Sequence, residues 1–230
     1  MVFHPSLSDS IIKSIGKNTA QDISALIQPN GAVIFDADGT LWHDDLGDAF
    51  FAFLVDKGIV SAQNLSKYKA MERSEPARAY GFAVQCLTGL HDSQVLDLSD
   101  KFCRTWLSDR IRQDVVSLAR ALHDAGMRVE VISATADLIV RPAIRAVLGN
   151  RTKSHGIRVE SIQGVLTDRL VMPMPFAAGK VDVFNTLGIG PLLIAVGDSM
   201  HDIPILRHAD LGIWVGIGKS PEDIACWIDA

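Results

Sequence analysis

Cysteine is scarce in this 230-residue chain: three residues, Cys86, Cys103 and Cys226, stand far apart with no Cys-x-x-Cys pair. An odd, unpatterned count argues against a disulfide framework and reads as reduced structural thiols in a cytosolic protein. Lys and Arg form no block, and the formal net charge is −5, which argues against a nucleic-acid partner. No run approaches the roughly 20 apolar residues that cross a bilayer, so no membrane association is expected. The first ten residues, Met-Val-Phe-His-Pro-Ser-Leu-Ser-Asp-Ser, lack a basic start followed by an apolar stretch, so no secretion signal is read there and the cytoplasm is the expected compartment. Internal repeats and low-complexity segments are also missing.

What is present is a hydrophobic fraction of 48% and a mean hydropathy of +0.20, values of a compact folded protein. The length suffices for one core plus an inserted subdomain, and a monomer or homodimer is expected. Apolar, β-branched runs at 31–36, 128–132, 192–197 and 210–215 read as strands covered on both faces. Helical patterns near 113–125, 137–148, 177–187 and 202–208 lie between them. The fold class that follows is α/β, a doubly wound parallel sheet with right-handed crossovers.

The first crossover is too long for one helix. Residues 43–112 contain helical stretches such as 46–57 and 93–107 and no convincing strand, so they are expected to form a helical cap over a core of 1–42 and 113–230. Residues 6–27 read as one packing helix, with Ile11, Ile12, Ile15, Ile23, Leu26 and Ile27 on its apolar side. Residues 157–175 alternate around Gly164 and predict a small antiparallel hairpin beside the parallel sheet, ended by Pro173 and Pro175.

Four places carry residues suited to chemistry. The first strand stops at Asp36-Ala-Asp38-Gly39-Thr40, two carboxylates on a glycine turn at a strand's carboxyl end, where ligands bind in open α/β sheets. Such a pair suits metal-assisted phosphoryl transfer, one Asp as nucleophile and the other as proton carrier, with Gly39 permitting close approach and Thr40 offering its hydroxyl and N–H to phosphate oxygens. A calcium loop or an Asx turn would use the same residues. Ser133 ends the second strand and, with adjoining backbone N–H groups such as that of Ala134, can hold a phosphate oxygen; Ser133 or Thr135 capping a helix is the simpler alternative. Lys180 can offset repulsion between a phosphate and an approaching carboxylate, or be one solvated lysine. Gly197-Asp198-Ser-Met-His-Asp202 again ends an apolar run with acids, which fit Mg²⁺ together with Asp36, while Asp202 can orient Lys180 or serve as a helix N-terminal acid. In a parallel sheet all these strand ends point the same way, so the four places can converge.

In that order the motifs resemble those of haloacid-dehalogenase-superfamily phosphohydrolases, over roughly 31–42 and 113–216. The resemblance implies a Rossmann-like core with a cap and a cytoplasmic Mg²⁺-dependent phosphatase acting on a small phosphorylated metabolite. It implies Asp36 as the nucleophile that forms an aspartyl-phosphate, Asp38 as general acid/base, and Ser133 and Lys180 as phosphate holders. The metal would take Asp36, the Asp38 carbonyl and Asp198, with Asp202 in support. The long helical insertion, the hairpin and the Ser-x-x-x-Asp spacing look most like the phosphoserine-phosphatase branch. There an acid after the first motif contacts the substrate amine, a place that Asp45 occupies here. Two positions depart from that branch: Val84 stands where its cap arginine is expected, with Arg73, Arg78 and Arg104 as other candidates, and His201 stands where asparagine is usual. A phosphorylated amino alcohol therefore becomes an alternative to phosphoserine. A phosphomutase or phosphotransferase, and a non-catalytic metal- or phosphate-binding protein, share the same residues; a dehalogenase would not need Asp38 or Asp198.

Overall fold

The computed structural model describes residues 7–216 and 221–226. The chain opens with two short helices, α1 (Asp9–Ile15) and α2 (Lys17–Leu26), where the apolar periodicity predicts one. Gly16 breaks them, with φ of 78°, a conformation that glycine adopts without steric cost. Ile11, Ile15, Ile23 and Ile27 are buried as expected, Ile12 and Leu26 partly so, and residue 6 lies outside the described residues.

Strand β1 (Ala32–Phe35) follows, then four helices: α3 (Leu46–Asp56), α4 (Ala62–Glu72), α5 (Pro76–Gln85) and α6 (Asp92–Trp106). A 3₁₀ turn at Leu107–Asp109 leads into α7 (Gln113–Asp124). Alternation then begins: β2 (Arg128–Ala136), α8 (Asp137–Leu148), β3 (Lys153–Ile157), the pair β4 (Val159–Ile162) and β5 (Val165–Leu170), α9 (Ala178–Leu187), β6 (Leu192–Gly197), α10 (Ile203–His208), β7 (Leu211–Trp214) and β8 (Ala225–Cys226).

Six strands form one parallel sheet in the order β3-β2-β1-β6-β7-β8, so β1 is central and the order reverses direction beside it. Alternation along β1 divides the core. Val33 and Phe35 pack with α7 and α8 residues such as Val115, Leu118 and Val140 on one face, while Ala32 and Ile34 pack with Val183, Phe184, Ile205 and Leu206 of α9 and α10 on the other. A sheet with helices on both faces is the doubly wound class read from the sequence.

Two strands of this sheet were not legible in the sequence. β3 is an edge strand, Lys-Ser-His-Gly-Ile, whose histidine pairs with a buried acid: His155 lies 2.6 Å from Glu130, which also accepts from Arg128 at 2.6 Å. β8 spans two described residues. The β4–β5 hairpin turns at Gln163 and Gly164, both with positive φ (52° and 80°), as a two-residue hairpin turn requires. It lies against the helical segment rather than beside the sheet. Gly89 N–H donates to Leu166 O (2.8 Å), Leu166 N–H to Leu90 O (2.9 Å) and Asp92 N–H to Gly164 O (2.9 Å). The hairpin thereby ties residues 81–92 to the chain between β3 and α9.

β2 runs three residues further than its apolar stretch suggests, so Ser133 does not end it. Pairing with β3 is regular to Ile132, shifts, and resumes only at Ala136. Ser133, Ala134 and Thr135 occupy the irregularity, which is what turns them toward the mouth of the sheet. Gly156 permits this: a Cβ there would lie 2.5 Å from Asp137 N and 2.6 Å from its Cα. Gly156→Ala is expected to lower stability by about 2 kcal/mol, measured by urea unfolding. A wild-type midpoint would contradict the close approach of β3 to the start of α8.

Candidate active site

The carboxyl ends of β1, β2 and β6 bring the sequence-predicted residues together. Asp36 N–H donates to Val196 O at 2.8 Å, so β1–β6 pairing fixes its backbone before the chain turns. Gly39 sits in that turn with φ of 75°, and any side chain there would run into the Asp198 carboxylate. Gly197 has the same role from the other side, since a Cβ would lie 2.6 Å from that of Asp202. Glycine at both positions lets two acidic turns pack against each other.

Lys180 reaches this cluster from α9. Its Nζ lies 2.5 Å from Asp36 Oδ1 and 2.5 Å from Asp202 Oδ1, and all three residues are buried. The other oxygen of Asp202 accepts from Ser199 Oγ (2.8 Å) and from the N–H groups of Ser199 (2.9 Å) and Asp198 (3.2 Å). Both Asp202 oxygens are thus engaged, and the residue shapes the turn and holds the lysine. Ala177, three residues before Lys180, has φ of 50°, a strained conformation for a residue with a Cβ at the entry to α9.

Thr40 differs from its expected role. It is fully buried; its hydroxyl donates to Asp198 Oδ1 (2.9 Å) and approaches Asp36 Oδ2 (3.4 Å), and its N–H donates to Ala37 O (3.2 Å). Both donors are spent inside the protein, so Thr40 bridges two carboxylates instead of meeting a phosphate.

Asp38 is held by three donors. Trp42 Nε1–H (2.8 Å) and Leu46 N–H (2.7 Å) reach one oxygen, and Thr135 Oγ1–H (2.6 Å) reaches the other. Ser133 Oγ accepts from Thr135 N–H at 3.0 Å, which leaves the serine proton for an acceptor outside the loop. Asp45 caps α3, accepting from Asp48 N–H at 2.7 Å, and faces the cavity half-buried.

A cavity of about 330 Å³ lies over these groups. Asp36, Asp38, Gly39, Asp45, Ser133, Ala134, Lys180 and Asp198 all line it; Thr40 and Asp202 lie beneath. Val84 also lines it, whereas Arg73, Arg78 and Arg104 do not.

The charges conflict. Burial, above all, pushes the Asp36 carboxyl well above its usual range, and Asp202 and Asp198 push the same way against Lys180. Burial likewise raises Asp38, opposed by its three donors. Asp198 is pushed up to about 6 by burial and by Asp202. Asp202 is held down because Lys180 outweighs its own burial, and Lys180 is held protonated because Asp202 and Asp36 outweigh its burial. One cation therefore faces three acids. Oxygens of Asp36, Asp198 and Asp202 lie within 4.8 Å of one another, a donor set of hard oxygens with an unmet need for positive charge.

A model of haloacid dehalogenase-like hydrolases matches residues 33–207, most of the chain. The chain belongs to this family. Among curated relatives, phosphoserine phosphatase SerB2 of Mycobacterium tuberculosis is 26% identical over 199 residues, covering 84% of this chain and 46% of that protein. Copper-transporting ATPase 1 of Rhizobium meliloti is 34% identical over 117 residues, covering 49% and 11%. The chain thus spans less than half the length of either. Solved structures with the same fold include a Bordetella pertussis protein of unknown function (TM-score 0.72, 20% identity, 81% of this chain and 90% of that one) and a substrate-bound phosphoserine phosphatase (0.56, 19%, 87% and 93%).

Sequence reasoning missed three features of this site. Trp42 and Thr135 fix Asp38; a tryptophan four residues after the acid was available as a signal, and Thr135 was weighed only as a cap. Arg112 is buried and donates through Nη1 to the carbonyls of Gly39 and Val215, each at 3.0 Å, joining the first motif turn to the chain that leaves β7. Nothing in its surroundings in the sequence marks it.

The raised Asp198 has a testable consequence. Unfolded, an aspartate titrates near 3.8; folded, Asp198 titrates near 6. Between those values the folded form holds the extra proton, so stability falls as pH rises through the window and the full penalty is present at pH 7. In chelator-treated protein, Asp198→Asn is expected to raise Tm by several degrees at pH 7 and by much less at pH 4. An equal shift at both pH values would contradict the charge conflict.

Proposed function

We propose that this chain is a Mg²⁺-dependent phosphatase that hydrolyses a small phosphate monoester through an aspartyl-phosphate on Asp36. The observation that carries the reading is one buried cation, Lys180, among three converging carboxylates beside a second, separately locked acid, Asp38. With Lys180 and a divalent ion to hold Asp36 ionised, that pairing of a nucleophilic carboxylate with a proton-carrying acid suits phosphoryl transfer. The named phosphoserine phosphatases among the relatives support the same class, and one solved neighbour is described as a phospho-aspartyl intermediate analogue of phosphoserine phosphatase.

Asp36, Asp198 and the Asp38 carbonyl would hold the ion, which when bound neutralises phosphate charge and orients the phosphoryl group. Asp36 attacks phosphorus. As the phosphorus–oxygen ester bond breaks, its electron pair stays on the alcohol oxygen, which takes the proton of Asp38. The raised Asp38 carboxyl is suited to arrive protonated. Ser133 O–H and Ala134 N–H receive the non-bridging oxygens, and Lys180 lowers the repulsion between Asp36 and the phosphate. Asp38, now a carboxylate, then draws the proton from a water that attacks the phosphoryl-aspartate, releasing phosphate and restoring Asp36. The free thiols Cys86 and Cys103 fit a reducing compartment such as the cytoplasm.

Wild type is expected to release phosphate from p-nitrophenyl phosphate with Mg²⁺ and not with chelator. Asp36→Asn is expected to lose activity at least about a thousandfold while remaining folded by circular dichroism. Full activity in that folded variant would overturn the nucleophile. Trp42→Phe removes one donor to Asp38 and is expected to lower kcat about tenfold with KM little changed, and to move the limb of the pH profile that reports the acid. An unmoved profile would remove Asp38 from the proton transfer.

A further inference from the structure

The cavity has a wall that hydrolysis itself does not use. Five rings follow one another along it: Phe51 and Tyr68 (5.3 Å, edge to face), Tyr68 and Tyr80 (6.4 Å), Tyr80 and Phe176 (5.4 Å), and Phe176 and His201 (4.5 Å). They reach from α3, α4 and α5 across to the turns before α9 and after β6. Val84, buried, belongs to the same wall.

The charge on this wall is negative. Besides the catalytic acids, Asp44 and Asp45 line the cavity, and among the described residues its only lysine or arginine is Lys180, already clasped by Asp36 and Asp202. Asp44 lies 3.4 Å from Arg110, but Asp45 has no ion pair among the described residues. Behind the rings, Asp48 and Glu72 share the single cation Lys69. The Tyr68 and Tyr80 phenols are pushed up by burial first, and then by Asp45, Asp48 and Glu72. A substrate carboxylate would meet no lysine or arginine but the clasped Lys180 among the described lining residues, and would face Asp45. A primary ammonium needs three acceptors, and the carboxylate that this wall offers, Asp45, already accepts from Asp48 N–H through one oxygen at 2.7 Å. A cation with an apolar skin needs ring faces and one counter-charge.

We infer that the leaving group is an N-methylated amino alcohol, so that the substrate is a phosphomonoester bearing a tertiary or quaternary ammonium, seated on the ring wall with Asp45 as counter-ion. This deepens the phosphatase reading and rests on it. The approximately 330 Å³ available suits a metabolite of that size.

The test compares kcat/KM, with Mg²⁺, for choline phosphate, ethanolamine phosphate, phosphoserine and 3,3-dimethylbutyl phosphate, the last having the shape of choline phosphate without its charge. Choline phosphate is expected to exceed the uncharged isostere about tenfold or more, and phosphoserine to be poorest. A preference for phosphoserine, or no preference for the charge, overturns the inference while p-nitrophenyl phosphate turnover leaves the phosphatase reading standing. If no ester is turned over, that reading falls, and the inference is decided by calorimetry on Asp36→Asn with Mg²⁺: equal affinity for choline phosphate and its isostere overturns it. Asp45→Asn keeps a capping side chain on α3, and Tyr80→Leu removes a ring; each is expected to bring the choline-to-isostere ratio toward one. A ratio unchanged in both variants overturns the ring wall and its counter-ion.

Discussion

The arrangement depends on one ammonium group. Lys180 Nζ, buried between Asp36 and Asp202, is the cation that allows acids from two sheet motifs to be packed at the mouth of β1 and β6. Burying a carboxylate without a partner costs several kcal/mol, and removing one member of such a cluster costs more than the pair contributes. Lys180 satisfies Asp202 fully and Asp36 in part, leaving Asp36 and Asp198 with raised affinity for protons. A divalent cation would answer the same need. The site is thus a region where the fold accepts destabilisation, as functional clusters commonly do.

Around it the backbone is arranged to keep that tension local. Gly39 and Gly197 bring the two motif turns into contact, Arg112 fastens the Gly39 turn to the chain after β7, and the irregularity in β2 sends Ser133 and Thr135 toward the acids. Asp38 takes no share in the Lys180 clasp. Its carboxylate is locked by Trp42, Leu46 and Thr135, so the turn after β1, the start of α3 and the end of β2 each fix one of its bonds. Two acids two residues apart therefore sit in different electrostatic settings, which is how one can act as nucleophile and the other as proton carrier.

How much was legible in the sequence follows from which forces leave local marks. Apolar runs that stop at acids are local, so β1 and β6 with Asp36, Asp38 and Asp198 could be read directly, and the parallel sheet made their convergence expected. Edge strand β3 escaped because it is polar at Lys153, Ser154 and His155, the last paired with Glu130, and sends only Ile157 into the core. The two N-terminal helices were read as one, since their apolar periodicity persists across Gly16. Thr40 was assigned to phosphate because its type fits; only the fold reveals that its hydroxyl is spent on Asp198. The ring wall was invisible because Phe51, Tyr68 and Tyr80 follow ordinary helical periodicity, and which face looks onto a cavity is decided by the packing of α3, α4 and α5.

The most direct measurement is to quench the protein in acid during turnover of a phosphomonoester and locate the phosphoryl group by peptide mass spectrometry. The account predicts an acid-stable, base-labile phosphoryl group on Asp36, absent without Mg²⁺. A phosphoryl group found on Ser133 or elsewhere, or turnover with no covalent species and unimpaired hydrolysis in folded Asp36→Asn, would contradict it.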